Sequence, residues 1–391
     1  MSDFKQPLIK PSDSNMRRRL QRRERRGKVM RPLWGLYAFA DDWNRLNPWQ
    51  KQLSKICMVA GMHLHWPLAN VSAAAVLGAT CDGRNGPKYL EHVHFVADDK
   101  TSTAHRKRLP VRFHYAKFSR PKEIFAMIKT QRIYANAIIS QDERSIAKSY
   151  TPINSYIGIA HGILVTSPLQ TIFDCMRRLP FEDALKICDR LAAIYHITYH
   201  DLVEFIFLRH GCWFNIPTLF KMKFVDRRSD NGGESFCRGR MIRGGLQAPI
   251  VQKEFKNCLL RLPADAGATL QRTDTIRPDF AWGVSSSDGG FRYIAAELDG
   301  RAKYVNRAMI SQVGATDSID VLMREKDREN IFAFLGIPVV RFQFREAYMN
   351  NGENMLMKLR MIGVPEASEG EKQNRRGLLA DCLGHPTLMM L

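Results

Sequence analysis

The chain has 391 residues, more than one ordinary core holds, so two or three folded units are expected. Hydrophobic residues at 45% and charged residues at 25% exclude wholesale disorder. The 59 Lys and Arg against 39 Asp and Glu give a formal net charge of +20, which favours a polyanionic partner, DNA or another nucleic acid first.

Near the N-terminus, "MRRRLQRRERRGKVMR" carries a run of basic residues from Arg17 to Arg31 against the single acid Glu24. Helix propensity is good up to Gly27, a natural C-cap, and "KVMRPLWGLYAF" alternates like a strand turning at Gly35. A basic helix with a hairpin wing over residues 1–46 is a DNA-contacting unit, with Arg17, Arg18, Arg22 and Arg26 as its contacts. The alternative is a solvated basic tail. Trp34, Trp43, Trp49 and Tyr37 read as the core of this small module rather than as base-stacking platforms.

Residues 47–221 read as an α+β module with a helical end. Helices are expected at "PWQKQLSKICMVAGM" and "NVSAAAVLGA", and alternating segments at "EHVHFVA" and "LPVRFHYA". In "VTSPLQTIFDCMRRL", Ser167 is an N-cap, Pro168 takes the first helical position and Gln170 completes a capping box. "PFEDALKICDRLAAIY" keeps helical spacing, and "TYHDLVEFIFLRHG" runs from a Thr198 cap to a Gly211 stop. The polar stretch "MKFVDRRSDNGG" marks the main boundary. Beyond it, residues 222–364 read as helix (234–243), strand "APIVQKEF", hairpin, long helix (317–335), strand "IPVVRFQF" and helix "ENMLMKLRMI". Residues 365–391 read as a disordered polar tail.

The hairpin carries the chemistry. "RPDFAWGV" and "FRYIAAELDG" flank "SSSDGG", a loop of turn formers. A loop centred near Ser287 or Asp288 places Asp279 opposite Ala296 or Glu297. Glu297 and Asp299, two apart on one strand, point to one face. Three carboxylates converging there raise one another's pKa, and a divalent cation resolves the repulsion. An all-oxygen set of Asp279, Glu297 and Asp299 suits Mg²⁺ or Mn²⁺ rather than zinc, and such a site supports phosphodiester hydrolysis. Lys303 is placed to orient the attacking water or to stabilise the pentavalent state. The plainer alternative is that Asp279 ends a strand while Asp299 and Gly300 form a turn.

Other constellations carry less. His63 with His65, and His92 with His94, each place two imidazoles on one strand face, yet without cysteine or carboxylate partners they read as strand histidines rather than a zinc site. Arg324, Lys326 and Arg328 follow the carboxylates on a helix and suit a phosphate backbone, although the interleaved Glu325, Asp327 and Glu329 suit a salt-bridged face equally well. There is no GxSxG elbow, Walker A loop or strand-linked GxGxxG, so acyl transfer, nucleotide hydrolysis and dinucleotide redox chemistry have no support. The eight cysteines form no CxxC pair and read as buried reduced thiols. The opening fifteen residues lack an apolar signal core and no stretch spans a membrane, so a cytoplasmic location is expected.

"RPDF", "AELDGRAKY" and "REKDRENIFAFLGIPVVRF" together resemble the PD-(D/E)XK nuclease superfamily, in particular its Vsr-like branch, over roughly residues 230–350. That resemblance implies a C-terminal α/β restriction-endonuclease-like domain with a mixed central sheet flanked by helices. It makes Asp279 the motif aspartate, Glu297 the central acid and Glu234, in "GGESFCRGR", the acid of the first helix. One position departs: Asp299 stands where the motif has lysine, and Lys303 is the candidate replacement. "RRGKVMRPLWGLYAFADDWNRLNPWQKQL", "VSAAAVLGA" and "VTSPLQTIFDCMRRLPFEDALKICDRL" are similar to actinobacterial proteins of the AbiEi-type antitoxin superfamily. This second likeness implies a winged-helix remnant, a DNA-binding role and a cognate toxin as partner. Two functions follow: a Mg²⁺-dependent endonuclease in a defence or toxin–antitoxin context, or a non-catalytic DNA-binding regulator on an inactive nuclease scaffold.

Overall fold

The computed structural model describes residues 7–79, 91–98, 110–119, 143–208, 215–261, 274–285, 289–299 and 318–379. The chain, of mixed α and β structure with several small sheets, divides into two units. One comprises Met1–Leu179, Arg190–Arg227 and Cys382–Leu391, and the other Pro180–Asp189 and Arg228–Asp381. Among the described residues, no helix is long and apolar enough to cross a membrane.

In the first unit, α1 (Ser14–Arg25) starts on the Asp13 carboxylate, which accepts the Met16 N–H at 2.7 Å. Its buried residue is Leu20, which packs on Val29 and Tyr37, while Arg17, Arg18, Arg22 and Arg26 are exposed. Gly27 closes the helix at φ +70°, and strands β1 (Val29–Leu33) and β2 (Leu36–Phe39) form the expected antiparallel hairpin around Gly35, at φ +75°. Tyr37 and Trp43 are core, as expected, and Trp49 is half-buried. Trp34 is not core: it sits in the turn itself and is 52% exposed.

Helix α2 (Ala40–Arg45) leads to α3 (Pro48–Met62), which begins with a complete Asn47–Gln50 capping box. Helix α4 (Asn70–Val76) is buried on every side. Around it lie the parallel pair β3 (Val93–Ala97) and β4 (Val111–Tyr115), helix α5 (Glu143–Lys148), and the antiparallel strands β5 (Tyr150–Pro152), β6 (Ile157–Ala160) and β7 (Ile163–Thr166). Leu68 stitches these together by bridging to both Phe95 and Val165. The two histidine pairs do not form. His63 caps α3 and stacks on Trp66, because the helix runs to Met62 where a strand was expected. His94 of β3 instead stacks on His114 of β4, with Nδ1 and Nε2 2.8 Å apart. Burial holds the His114 pKa well below the ordinary value.

Helix α6 (Pro168–Arg178) has half of its expected capping box. Ser167 Oγ accepts the Gln170 N–H at 3.2 Å, but Gln170 Oε1 is buried without a partner. Helix α7 (Phe181–Ile194) and helix α8 (Tyr199–Phe207) follow, the latter with a reciprocal Thr198–Asp201 box, and then α9 (Asn215–Met222). Gly211 lies outside the described residues.

The second unit is built on one four-stranded sheet. It consists of β8 (Ile250–Val251), β11 (Phe280–Ser285), β12 (Phe291–Asp299) and β13 (Val339–Gln343), in the order β13-β12-β11-β8. Strand β11 is antiparallel to both its neighbours, and β12 runs parallel to β13. One face carries Phe280, Trp282, Ile294 and Phe342 against Cys237 and Met241 of α10 (Gly232–Arg243) and Leu356 and Leu359 of α13 (Glu353–Met361). The opposite face packs Ala295 and Tyr293 on Ile331 and Phe332 of α11 (Ser318–Phe334). Truncating Phe280 or Phe342 to alanine therefore costs about 3–5 kcal/mol.

Two expectations change here. "APIVQKEF" is not one strand: Gln252 takes φ +51°, so β8 stops there, and β9 (Phe255–Lys256) pairs instead with β10 (Thr275–Ile276). The polar segment after residue 365 is ordered as far as Leu379, with α14 (Glu369–Leu378) capped by Ser368. Arg375, 3% exposed, donates to the Ile242 and Leu246 carbonyls at 2.9 and 2.6 Å. Those are acceptors at the C-terminal end of α10, so a charged residue of the tail completes a buried helix end.

Candidate active site

The β11–β12 ladder pairs Phe280 with Ala296 and Ser285 with Phe291, a register centred on Asp288. Extending it by one residue sets Asp279 opposite Glu297. The ladder itself ends at Phe280, and the next N–H directed at β11 is that of Leu298. Pro278 breaks the strand, and the Asp279 carboxylate replaces a backbone carbonyl by accepting from Leu298 N at 2.7 Å. Asp279 is thereby fixed at the start of β11, an interior strand of the sheet, and faces the start of α10 through Gln252.

Helix α10 begins at Asn231, whose side-chain oxygen accepts from Gly233 N at 2.9 Å and Glu234 N at 3.1 Å. This cap holds Glu234 in the first turn, with its carboxylate accepting from Asp230 N at 3.0 Å and from the Asn231 side-chain amide. Gln252 joins the two acids: its amide nitrogen stands 3.4 Å from Glu234 Oε2 and 3.4 Å from Asp279 Oδ1. Both contacts are long for N–H···O bonds, so the Gln252 amide holds the two acids only weakly. Burial first, then the Asp279 charge, pushes the Glu234 pKa up to about 8.

Glu297 has a different environment. Arg328 Nε donates to its Oε1 at 2.7 Å, and Arg341 lies 3.2 Å from its Oε2. Arg341 is its register partner on β13, and Arg328 comes from α11 on the face that carries Glu297. Arg328 also donates to the Arg277 carbonyl. The expected convergence of Asp279, Glu297 and Asp299 is therefore not the arrangement present: their ligand oxygens do not gather within 4.8 Å of one another. Two arginines hold Glu297, and Asp279 turns toward α10. Asp299 is half-buried at the end of β12, opposite Gln343.

The structure thus brings Glu234 and Asp279 to one amide and engages Glu297 with two arginines. Arg328, expected to track a phosphate backbone, is engaged by Glu297. The Arg324 side chain and the whole of Lys303 lie outside the described residues. Gln252, Asn231 and Arg341 were not singled out in the sequence. An Asn three residues before a helical Glu was the readable signal for Asn231, whereas Arg341 needed the β12–β13 register. The one described group of acids and imidazole with ligand atoms close together, His200, Asp201 and Glu204, is exposed, and Asp201 is committed to capping α8 at Thr198. No family model, no curated protein and no solved structure matches the chain.

Proposed function

We propose that the chain is a cytoplasmic DNA-associated endonuclease, a divalent-metal-dependent phosphodiester hydrolase on a restriction-endonuclease-like second unit, in a defence or toxin–antitoxin context. The observation that carries this reading is the pair Glu234 and Asp279, two carboxylates sharing one amide at the end of an interior strand, with the Glu234 pKa pushed up to about 8. Two hard oxygen donors brought together at one amide fit Mg²⁺ or Mn²⁺. Further support comes from the element order, helix, three antiparallel strands, helix and parallel strand, and from the exposed basic α1.

In this reading Asp279 and Glu234 hold the cation, with Glu297 and Asp299 next to them along β12. When bound, it lowers the pKa of a water and offsets charge developing on the phosphate. The Leu298 N–H fixes the Asp279 carboxylate, and the Gln252 amide orients both acids. Glu234 would serve as a ligand in its ionised form, its proton passing to solvent. Arg328 and Arg341 keep positive charge beside the site, and Lys303 assists at the attacking water. Arg17, Arg18, Arg22 and Arg26 supply contacts to DNA phosphates.

One observation favours the second reading, a DNA-binding regulator or antitoxin with a cognate toxin: both Glu297 oxygens already have arginine partners. Plasmid nicking with Mg²⁺ or Mn²⁺ separates the two. The enzyme reading expects nicking by wild type and none by Asp279→Ala or Glu234→Ala. Salt-sensitive DNA binding without cleavage under any divalent ion sinks it, and cleavage persisting in both variants sinks the residue assignment.

A further inference from the structure

Helix α12 (Phe344–Tyr348) starts directly after Gln343, the register partner of Asp299, so its first residue stands at the carboxylate end of the sheet. A Cβ placed on Gly233, the neighbour of Glu234, would lie 3.8 Å from Phe344 Cδ2 and 3.2 Å from the Leu298 side chain. Phe344 therefore lies beside the first turn of α10, the turn that carries Glu234. Phe344 and Tyr348, four apart on one helix face, stack with centroids 6.0 Å apart at 27°. Both lean on buried Phe236, at 5.3 and 5.9 Å, yet they remain 38% and 51% exposed. Two exposed rings held in fixed positions by a buried third are unlike scattered surface apolar residues.

We infer that Phe344 and Tyr348 form a stacking platform for unpaired nucleobases, which makes single-stranded nucleic acid, or an unpaired segment beside the cleaved bond, the preferred substrate of the site. Bases in a duplex already stack on one another and cannot cover an external ring without being extruded. The anchored rings lose little rotamer freedom on binding, so stacking adds affinity at low entropic cost. Charge agrees at the platform itself: Arg345 is exposed between the two rings in sequence. The chain as a whole, at +20, suits a polyanion. The substrate class rests on the phosphodiester reading above, while the platform itself does not need cleavage.

The test uses the full chain with chelator present, so that binding is read without cutting. Fluorescence anisotropy compares a labelled single strand with a duplex of the same sequence for wild type, Phe344→Ala, Tyr348→Ala and the conservative Tyr348→Phe. Wild type should prefer the single strand. Each alanine variant should lose about tenfold or more of single-strand affinity, the duplex should change little, and Tyr348→Phe should retain binding. Equal losses on both substrates, or none in alanine variants that melt like wild type, overturn the platform. So does a concentration-dependent dimer that both alanine variants abolish while single-strand affinity stays unchanged, since the face would then be a protein interface. Failure of plasmid nicking alone removes the hydrolase and leaves this result standing.

Discussion

Two acids that the hairpin register sets side by side, Asp279 and Glu297, have opposite electrostatic surroundings. Glu297 is met by two guanidiniums, while Asp279 faces a second carboxylate, Glu234, and shares with it one neutral amide. The two arginines make Glu297 a strut between β12, β13 and α11, while burial and like charge raise the pKa of Glu234 beside Asp279. Equal proximity to a strand end does not give equal chemistry, because the partners brought by the next strand and helix decide what each carboxylate faces.

The strongest break of this contrast is removal of one member of the Asp279–Glu234 pair. Asp279→Ala should reduce divalent-dependent nicking by about 100-fold or more, as expected when a direct metal ligand is removed. Circular dichroism should show the fold retained. Undiminished nicking would place the chemistry elsewhere.

Next in size is a pH effect. The folded Glu234 keeps its proton up to about 8, whereas its unfolded form releases it near 4.5. Between those values the folded state holds more protons, so stability falls as pH rises through that window. The loss amounts to up to about 4 kcal/mol by pH 8. Glu234→Gln, which mimics the protonated acid, should flatten the decline and raise Tm at alkaline pH. Mn²⁺ should stabilise wild type there but not the variant. A wild-type melting profile without this decline would contradict the buried-pair description.

The compensated side should respond more mildly. Glu297→Gln removes the carboxylate from Arg328 and leaves Arg341 with Glu329, 3.4 Å away, and should cost about 1–3 kcal/mol in chemical denaturation. The double variant Arg328→Gln with Arg341→Gln frees Glu297 instead. If the arginines are what keeps it from the site, Mn²⁺ affinity should rise. An unchanged affinity would separate Glu297 from metal binding altogether.

The smallest effect lies in the first unit. Neutralising Arg18 and Arg22, both exposed on α1, should weaken DNA binding alike for all sequences. The slope of log affinity against log salt should fall by about one for each DNA phosphate that is no longer neutralised. A variant with an unchanged slope would remove α1 from the DNA interface.

Much of this was legible in the sequence, where local rules suffice. Turn formers between two apolar stretches fixed the hairpin register to within one residue, and Pro278 marked the strand end that turns Asp279 outward. Gln252 was not legible: a non-glycine residue at φ +51° looks like strand in "IVQKEF", and its amide is what links the acids. The clamp on Glu297 was hidden for another reason. Arg341 meets it through parallel pairing with a strand more than forty residues downstream, and Arg328 lies in a helix whose alternating charges give no local sign of partner. The tail misled through composition. "SEGEKQNRRG" is polar throughout, yet it carries a Ser368 cap, and one of its arginines is drawn inward by the open carbonyls of α10.

Divalent-ion titration of the full chain at pH 8, followed calorimetrically with Mn²⁺, bears most directly on the division between the two acids. Wild type should bind the ion, Asp279→Ala and Glu234→Gln should each lose about tenfold or more in affinity, and Glu297→Gln should stay close to wild type. Loss confined to Glu297→Gln, or no binding by wild type, would contradict the assignment of the cation to Glu234 and Asp279.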